Sequence, residues 1–353
     1  KHLIDPGQGR KDIKAKILKI TNKKSFDQDA LRILRAFSLS CILDFRIDSQ
    51  TLKEIKLKKA KLSAVSYERV RDELFKIFGS SCAYKYLLEL DKLSILKLII
   101  PEIQIMRGVN QGPYHHLDVL KHSFETVRQV EIIIEEKKKN KEIYSYLNTV
   151  ISGGRLRLSL MKLGAFLHDI GKPQVKRHEN GKTIFHGHER IGAILSERIA
   201  KRLKLSNDEL DILKKLVFWH LRPGYMADMD FLSARAKFRY FRDCKEEGAS
   251  VLLLSLADQR STRGLLTLKE SRKQHEKVVS NLLKIYFKKQ KEKKLPRLVN
   301  GNDLMNELKI APGILVGKIL SELEELQATG LIKTKEDAFR AAKKIKEGQK
   351  GRK

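Results

Sequence analysis

The chain has 353 residues, enough for two or three domains with separate hydrophobic cores. Apolar residues make up 41% of it, which excludes a disordered chain, and no apolar run approaches the roughly 18–20 residues of a membrane span. The 73 Lys and Arg against 43 Asp and Glu give a net charge of +30, a self-repulsion that a polyanion such as nucleic acid relieves. A generally lysine-rich surface is the alternative explanation, so the charge supports RNA or DNA binding without establishing it.

Cysteine is scarce, and Cys41, Cys82 and Cys244 are widely separated with no CxxC pair. This usage argues for a reducing compartment, hence the cytoplasm, and against both a disulfide framework and a zinc site with cysteine ligands. The first five residues do not resemble a signal peptide. Residue 1 is Lys rather than Met, and we expect the natural start to lie upstream.

Helical periodicity dominates the sequence. Apolar side chains recur every three to four residues over 31–38 and again over 208–219, as in amphipathic helices. Strand-like alternation is rare. The sequence therefore predicts an all-α fold in four blocks, which are the end of a preceding domain with a Gly-rich turn (1–25), a helical neck and body (26–100), a His-rich helical bundle (101–265) and a basic helical tail (266–353).

The first candidate binding pair is Asp29 and Arg32, whose spacing of three residues predicts that they share one face of a helix. Asp accepts hydrogen bonds only, and Arg donates them only. Cytosine and adenine offer an amino donor beside a ring-nitrogen acceptor, whereas guanine and uracil offer the reverse, so this pair would accept C and A and reject G and U. An ordinary surface salt bridge is the alternative, which the two residues considered alone favour.

Histidine and aspartate then recur in apolar, helix-forming surroundings, at His122, His168, Asp169, His188, His220 and Asp258. Imidazole and carboxylate together suit divalent ions, and adjacent His and Asp on a helix point only about 100° apart, so both can reach one ion. Gly171 and Pro173 are expected to end the helix after the His168–Asp169 pair. Any one of these histidines alone is more often a core residue than a ligand.

The order of this set resembles the HD phosphohydrolase superfamily over residues 110–260. The resemblance implies that the six side chains surround one or two divalent ions (Mg²⁺, Mn²⁺ or Ni²⁺), with His168 and Asp169 as catalytic residues. Such an ion would lower the pKa of bound water and hold a phosphate oxygen. His115 would lie behind the ligands on the same helical face as His122. Lys172 is a candidate phosphate contact, with an ordinary solvated lysine as the alternative.

A wider resemblance rests on four segments, which are "DPGQGRKD" (5–12), "QDALR" (28–32), "SYERVRDEL" (66–74) and "LVNGNDLMNELKIAPGILVGKIL" (298–320). In this order they resemble the bacterial class of tRNA nucleotidyltransferases and poly(A) polymerases. The resemblance spans nearly the whole chain. It implies that Asp29 and Arg32 select CTP or ATP, and that body and tail grip the acceptor arm of tRNA through shape and backbone. Gln28 stands where the family usually has Glu.

The resemblance also identifies a missing part. Nucleotidyl transfer in the family needs a head with a Gly-Ser turn for the triphosphate and a close pair of Asp that hold two metal ions. Neither feature precedes Asp5, and the later pair Asp228 and Asp230 falls in a predicted loop. We therefore expect that this chain does not add nucleotides by itself, and that the head lies upstream or was lost.

These observations leave three functional hypotheses. The first is tRNA 3′-end processing or polyadenylation, with this chain supplying nucleotide selection, RNA binding and an HD metal site. The second is a stand-alone HD phosphohydrolase acting on RNA ends or nucleotides, and the third is a non-catalytic RNA-binding body. The lysines of 53–61 and 282–297 are candidate RNA contacts. The sequence leaves open the product (CCA, part of CCA or poly(A)), the metal and the oligomeric state.

Overall fold

The structure, a computed structural model, describes residues 4–292 and 296–350. Of the chain, 68% is helical and 4% is strand, which confirms the predicted all-α class. Within the described ranges, no helix combines the length and the apolar character that a membrane crossing requires. The division into four blocks remains a prediction. One hydrophobic core contains side chains from the second, third and fourth blocks.

The N-terminal region consists of short helices, which are α1 (Gly9–Lys14), α2 (Ser25–Gln28), α3 (Leu31–Leu43), α4 (Ser49–Lys58), α5 (Tyr67–Gly79), α6 (Ala83–Lys92) and α7 (Leu96–Ile99). Short 3₁₀ segments follow α4 at Lys59–Ala64 and α7 at Pro101–Met106. Strand β1 (Ile17–Leu18) pairs in parallel with β2 (Arg46–Ile47). The predicted periodicity from Leu31 becomes the buried face of α3, which packs against α5.

The middle of the chain forms the helical bundle. Its helices are α8 (Val119–Glu136), α9 (Lys141–Leu147), α10 (Arg157–Leu167), α11 (Lys172–Val175), α12 (His188–Arg202), α13 (Asn207–Trp219), α14 (Arg222–Ala227), α15 (Ala234–Cys244) and α16 (Gly248–Ser261). Two antiparallel hairpins interrupt them, β3 (Val150–Ser152) with β4 (Arg155–Leu156) and β5 (Arg177–Glu179) with β6 (Lys182–Ile184).

Helix α16 is the centre of the bundle. Its residues from Gly248 to Ala257 are buried without interruption, and it packs against α8, α10, α13 and α14. A helix that is apolar on all sides is stable only when neighbours surround it. The most apolar run of the sequence is therefore a central core helix.

Capping side chains set several helix boundaries of the bundle. The Asp118 carboxylate accepts a hydrogen bond from the Lys121 backbone N–H at 2.9 Å and begins α8. Ser206 and Glu209 form a reciprocal capping box at the start of α13. Helix α10 ends at Leu167, so the prediction that the helix carries His168 and Asp169 and ends after them is wrong. Pro173 lies in the first turn of α11, where its fixed φ angle suits the start of a helix.

The tail contributes to two separate cores. Helix α17 (Lys269–Lys291) packs on α16 and completes the main core, which begins at Phe26 and so includes both the body and the bundle. Helices α18 (Gly301–Leu308), α19 (Ile314–Ala328) and α20 (Lys335–Lys350) share a second, smaller core. The buried Glu325 on α19 accepts hydrogen bonds from Arg235 and Arg239 on α15, and this contact joins the smaller core to the bundle.

Two of the three cysteines are neighbours in space. Cys41 on α3 and Cys82 just before α6 bring their sulfurs within 3.3 Å, and both are free thiols. The packing of α3 against α6 creates this contact between residues that are 41 positions apart in the sequence. Cys244 is buried and also free.

Candidate metal centre and nucleotide-selecting edge

The six side chains predicted to bind metal converge at one place in the bundle. His122 lies on α8, His168 and Asp169 follow the last residue of α10, His188 begins α12, His220 follows the last residue of α13, and Asp258 lies on α16. All are buried except Asp258, whose side chain is 21% exposed. We call these six residues the HD set. Their assignment as ligands is taken up below as a proposal.

The HD set has two halves that Asp169 connects. In the first, Asp258 Oδ1 lies 2.9 Å from His122 Nε2 and 3.6 Å from His168 Nε2. In the second, Asp169 Oδ1 lies 3.3 Å from His188 Nε2 and 3.8 Å from His220 Nε2. Asp169 Oδ2 turns towards the first half, 3.2 Å from His168 Nε2. Within each half one donor atom per residue lies within 4.8 Å of the others, a spacing that one ion can span.

Three of the imidazoles are oriented by the backbone. In each, Nδ1 lies 2.7–2.8 Å from the carbonyl oxygen three residues earlier, which pairs His168 with Ala165, His188 with Phe185 and His220 with Val217. A carbonyl oxygen only accepts hydrogen bonds, so Nδ1 carries a proton in each ring, and Nε2 is the nitrogen that offers a lone pair when the ring is neutral. The backbone thus presents three Nε2 atoms to the centre of the set in the tautomer that binds metal.

The electrostatics of the HD set favour a cation at its centre. Burial disfavours a charged His168, but Asp169 and Asp258 outweigh it and raise the pKa of His168 to about 10. Burial acts to raise the pKa of Asp169, yet His168 and Lys172 hold that pKa well below its ordinary value. Burial lowers the pKa of His220 to about 3, so this imidazole stays neutral. Buried carboxylates therefore require a positive charge, which a proton or a metal ion can supply.

The donor atoms fit one or two divalent ions. His168 Nε2 is buried and has no aligned hydrogen-bond partner among the described residues, although Asp169 Oδ2 is 3.2 Å away. A buried polar atom without a partner costs about 1–3 kcal/mol, and coordination of an ion would remove that cost. Imidazole nitrogen and carboxylate oxygen together suit divalent ions such as Mg²⁺, Mn²⁺ and Ni²⁺. The preference of these ions for nitrogen over oxygen ligands increases in that order.

Gly171 allows α12 to approach the turn that carries His168 and Asp169. A Cβ at this position would lie 2.2 Å from the His188 carbonyl oxygen and 2.6 Å from the Gly192 backbone nitrogen. No side chain fits such a separation, so a glycine is required where the turn meets the start of α12. The close approach places His188 beside Asp169.

Lys172 and His115, the two further residues predicted near the HD set, both lie beside it. His115 reaches this position from a loop and not from the predicted helix. Lys172 is buried, and its Nζ lies 2.7 Å from Asp169 Oδ2 and donates to Gln111 Oε1 at 2.7 Å. The prediction that His115 shares a helix with His122 is wrong, because α8 begins only at Val119. The loop before α8 nevertheless brings the two rings edge to face, with centroids 4.9 Å apart.

The geometry predicted for Asp29 and Arg32 is corrected by the structure. Asp29 is not on the helix of Arg32, since it lies in extended conformation between α2 and α3. Its Oδ1 accepts a hydrogen bond from the Leu31 backbone N–H at 3.1 Å and so helps to begin α3. Arg32, in the first turn of α3, donates to Gln28 Oε1 at 3.2 Å. Asp29 and Arg32 therefore do not form the i, i+3 salt bridge that was the alternative.

Arg69 is the partner of Asp29 that sequence reasoning missed. Its guanidinium on α5 donates to Asp29 Oδ2 at 2.7 Å, and this ion pair lowers the pKa of Asp29. The segment "SYERVRDEL" contains Arg69, but its resemblance to a family motif does not by itself connect this residue with Asp29. The packing of α5 against α3 brings this residue 40 positions along the chain to Asp29.

Several of the lysines predicted to contact RNA form contacts within the protein. Lys58 and Lys61 pair with Asp27, and Lys59 donates to the Leu93 carbonyl. Lys53 and Lys56 remain exposed on α4. In the tail, Lys284 is exposed, Lys291 pairs with Glu142, and Lys293 and Lys294 lie outside the described residues.

Two protein families match parts of the chain. The family described as "Probable RNA and SrmB- binding site of polymerase A" matches residues 44–106, and the HD domain family matches residues 119–263. The second match contains all six members of the HD set. Fold and site together define a helical protein in which a region of the polymerase A type precedes an HD domain.

Similar proteins extend this likeness over most of the chain. The A-adding tRNA nucleotidyltransferase of Deinococcus radiodurans is 29% identical over 345 residues, which cover 96% of this chain and 73% of that protein. The CC-adding tRNA nucleotidyltransferase of Thermus thermophilus is 26% identical over 338 residues, covering 93% and 69%. Together, the two matched families and these relatives support a protein of the bacterial tRNA nucleotidyltransferase type with an HD domain. The predicted resemblance is confirmed.

Solved structures show the same fold. A CCA-adding enzyme in complex with ATP has a TM-score of 0.55 at 17% identity, and the Thermotoga maritima CCA-adding enzyme complexed with tRNA has 0.54 at 18%. The alignment with the first structure covers 95% of this chain and 64% of the CCA-adding enzyme. The alignment with the second covers 96% of this chain and 66% of that enzyme. The activity and substrates of the longer proteins are therefore proposals for this chain.

Proposed function

We propose that this chain acts in the maturation of tRNA 3′ ends, as the nucleotide-selecting, RNA-binding and HD-bearing part of a tRNA nucleotidyltransferase. The observation that carries the proposal is the edge formed by Asp29, Arg32 and Arg69 in a chain similar to A-adding and CC-adding enzymes along more than nine-tenths of its length. Because these two relatives add different nucleotides, the product stays open. The proposal places the chain in the cytoplasm, where its three free cysteines would stay reduced.

Nucleotide selection follows from the donor and acceptor chemistry of this edge. Asp29 offers a carboxylate that accepts from the amino group of cytosine or adenine, and Arg32 offers a donor for the adjacent ring nitrogen. Arg69 keeps Asp29 ionised and oriented before any nucleotide arrives. Guanine and uracil would place donor against donor and acceptor against acceptor, a mismatch of about 1–3 kcal/mol for each buried polar edge.

The nucleotide-selecting role is tested by equilibrium binding of CTP, ATP, GTP and UTP to the chain. We expect CTP or ATP to bind roughly tenfold or more tightly than GTP and UTP. Arg32→Gln should remove most of this preference. Arg35→Gln is the matched control, because Arg35 lies one turn later on α3 with a side chain that is 54% exposed. Equal affinity for all four nucleotides in the unmodified chain would contradict the role.

RNA binding is the second part of the proposal, and the net charge of +30 supports it. The exposed candidates for phosphate contacts are Lys53 and Lys56 on α4 and Lys284, Lys288 and Lys289 on α17. Each released counterion makes affinity depend on salt, so the tRNA affinity should fall steeply between about 50 and 200 mM salt. An affinity that stays flat over this range would rule out binding through the backbone.

The HD set would hold one or two divalent ions, with His122, His168 and Asp258 in one half and His188 and His220 in the other. Asp169 belongs to both halves and, together with His168, is the proposed catalytic pair. When bound, such an ion supplies a water of lowered pKa and polarises a phosphoryl oxygen. The chain's own contribution is to hold the Nε2 atoms in the ligand tautomer and to exclude bulk water from the set.

A second candidate function is hydrolysis of a phosphate ester by the HD set alone, with RNA ends or nucleotides as substrates. The buried Nε2 atom of His168, which has no aligned hydrogen-bond partner among the described residues, favours this function. An unpaired nitrogen costs stability unless a metal ion binds to it, and a bound ion would supply the chemistry of hydrolysis. Metal analysis and a phosphodiesterase assay on 2′,3′-cyclic phosphates test this function. The double variant His168→Ala and Asp169→Ala should lose both metal and hydrolysis. Metal content that does not change would disprove the ligand assignment, and metal without hydrolysis would favour a non-catalytic RNA-binding role.

A further inference from the structure

Two of the three free cysteines lie in contact where three helices meet, outside the HD set and the nucleotide-selecting edge. Cys41 is in the last turn of α3, and Cys82 is the last residue of the short linker between α5 and α6. Their sulfurs are 3.3 Å apart. We call Cys41 and Cys82 the thiol pair. Cys244, at the end of α15, is buried and free.

The two sulfurs of the thiol pair differ in exposure. Cys41 is 6% exposed, whereas Cys82 is half-buried and follows the exposed Ser81. Burial raises the pKa of the Cys41 thiol to about 12, against the opposing effect of the Ser80 hydroxyl. Cys41 therefore stays protonated at neutral pH and is shielded from solvent. A small molecule that reaches the pair meets the sulfur of Cys82 first.

Hydrogen bonds direct the proton of Cys41 away from its partner. The Cys41 thiol donates to Ser80 Oγ at 2.9 Å, and the Ser80 hydroxyl donates in turn to the Ile77 carbonyl oxygen at 2.7 Å. The lone pairs of the Cys41 sulfur are then available to Cys82. Lys162 is 1% exposed and donates to the Ser80 carbonyl oxygen, so its ammonium group lies beside the pair and favours negative charge on a sulfur.

A disulfide requires only a small movement from this arrangement. Disulfide sulfurs are about 2.05 Å apart, so the pair must close by about 1.3 Å. Cys41 is held within a helix, but Cys82 precedes α6 in a non-helical conformation, with φ −130° and ψ 28°. The linker can therefore supply the movement without disturbing α3 or α6.

We propose that the thiol pair is an oxidation site, at which a peroxide produces a reversible disulfide that fixes α3 to the start of α6. In the first step the Cys82 sulfur attacks one peroxide oxygen, the O–O bond breaks, and the leaving hydroxide takes the thiol proton as water. Cys82 is then a sulfenic acid. In the second step the Cys41 sulfur displaces its hydroxyl group, which leaves as water with the Cys41 proton. Two thiols are oxidised to one disulfide, and one hydrogen peroxide is reduced to two waters.

The disulfide restrains the two helices that hold the nucleotide-selecting edge. Arg32 lies in the first turn of α3 and Cys41 in its last, while Arg69 lies on α5, which ends at Gly79 just before the linker of Cys82. Oxidation leaves the residues of the edge chemically unchanged. In a reducing compartment the pair returns to free thiols, so the bond lasts only while an oxidant is present. The inference does not depend on the function of the HD set.

Thiol counting and peptide mass spectrometry on the full chain test the oxidation site. Hydrogen peroxide in small excess should reduce the three free thiols of the chain, counted after denaturation, to one, and dithiothreitol should restore all three. Digestion without a reductant should give a cross-linked peptide pair that contains Cys41 and Cys82 and lacks their thiol hydrogens. Cys244 should remain free.

Single substitutions identify which thiol reacts first. Cys41→Ser should leave Cys82 as a sulfenic acid, which dimedone labels. Cys82→Ser should prevent both the disulfide and the labelling. Cys244→Ser is the matched control, because it removes a buried thiol outside the pair and should leave disulfide formation unchanged.

Thermal unfolding supplies a readout that does not depend on variants. The bond joins residues 41 positions apart and restrains the unfolded chain, so the oxidised protein should have a Tm about 5 °C higher than the reduced one. Three free thiols after peroxide treatment, or a bond that joins Cys82 of two different chains, would overturn the proposal. A sulfinic acid at Cys82 in place of the cross-link would overturn it as well, since Cys41 would then not reach the oxidised sulfur.

Discussion

The HD set and the nucleotide-selecting edge both depend on an aspartate, but the two residues occupy opposite environments. Asp169 is 1% exposed and lies within 4 Å of histidine nitrogens from four different positions in the chain. Asp29 has a side chain that is 26% exposed and is held by one guanidinium and one backbone N–H. The first carboxylate is enclosed by the protein, whereas the second faces solvent where a nucleotide can reach it.

The difference follows from the cost of burying charge. A buried carboxylate is expensive unless every neighbour is arranged to satisfy it, so the bundle permits one arrangement of the HD set. An exposed ion pair contributes only about 0–1 kcal/mol, so the contact between Asp29 and Arg69 adds little to the stability of the fold. The HD set is therefore fixed by the packing of the bundle, whereas one exposed ion pair orients Asp29.

The largest effect is expected at Asp169. Asp169→Ala removes the only carboxylate that the two halves share, and we expect metal content near zero by elemental analysis. His122→Ala should affect only the first half and leave an ion bound if two are present. His178→Ala is the control, because His178 is exposed on β5. Full metal content in Asp169→Ala would show that the halves do not depend on a common ligand.

Gly171→Ala tests how strictly the backbone around the HD set is packed. The added Cβ would collide with the His188 carbonyl oxygen 2.2 Å away, and we expect the free energy of unfolding to fall by about 3 kcal/mol. Gly317→Ala on α19 is the control, since no atom lies within 4 Å of its added Cβ, and it should be neutral or stabilising by up to about 1 kcal/mol. Both values come from denaturant unfolding, and similar stabilities would mean that the turn can relax.

The ion pair between Glu102 and Arg202 is an intermediate case. It joins the 3₁₀ segment Pro101–Met106 to α12 through two contacts of 2.6 Å. Burial acts to raise the pKa of Glu102, but Arg202 outweighs it and holds that pKa below its ordinary value of 4.5. A lowered pKa stabilises the fold above pH 4.5, and this contribution is lost as the pH falls through the folded-state value.

Arg202→Gln should therefore lower the free energy of unfolding by about 1 kcal/mol at neutral pH and by less in acid. Arg198→Gln, which changes an exposed arginine of the same helix, should have little effect at either pH. Thermal unfolding across the acid range measures both variants. A constant difference between them at every pH would show that the ionisation of Glu102 is not responsible.

The smallest change in stability is expected at Arg69. Its side chain is 52% exposed, so Arg69→Gln should alter the free energy of unfolding by less than about 0.5 kcal/mol. The preference for CTP and ATP should nevertheless decrease, because Asp29 loses the partner that orients it. Nucleotide binding and unfolding measured on the same variant separate the two effects, and an unchanged preference would exclude Arg69 from nucleotide selection.

Some errors of the sequence-based predictions share one cause. Residue spacing predicts that Asp29 and Arg32 share one helix and that His115 lies on α8. The observed helices begin later, at Leu31 and at Val119, and the spacing does not reveal these boundaries. Arg69 was not assigned a role at all. Its partner is 40 residues away along the chain, and only the packing of α5 on α3 makes this contact.

The sequence by itself determined the helical class and the order of the HD set. These features depend on local periodicity and on a motif order that survives without coordinates. Tertiary packing alone decided that Asp169 connects two halves, that Arg69 holds Asp29 and that α17 completes the main core by packing on α16. Such contacts arise where helices distant in sequence meet, and no local pattern encodes the distance between two side chains on different helices.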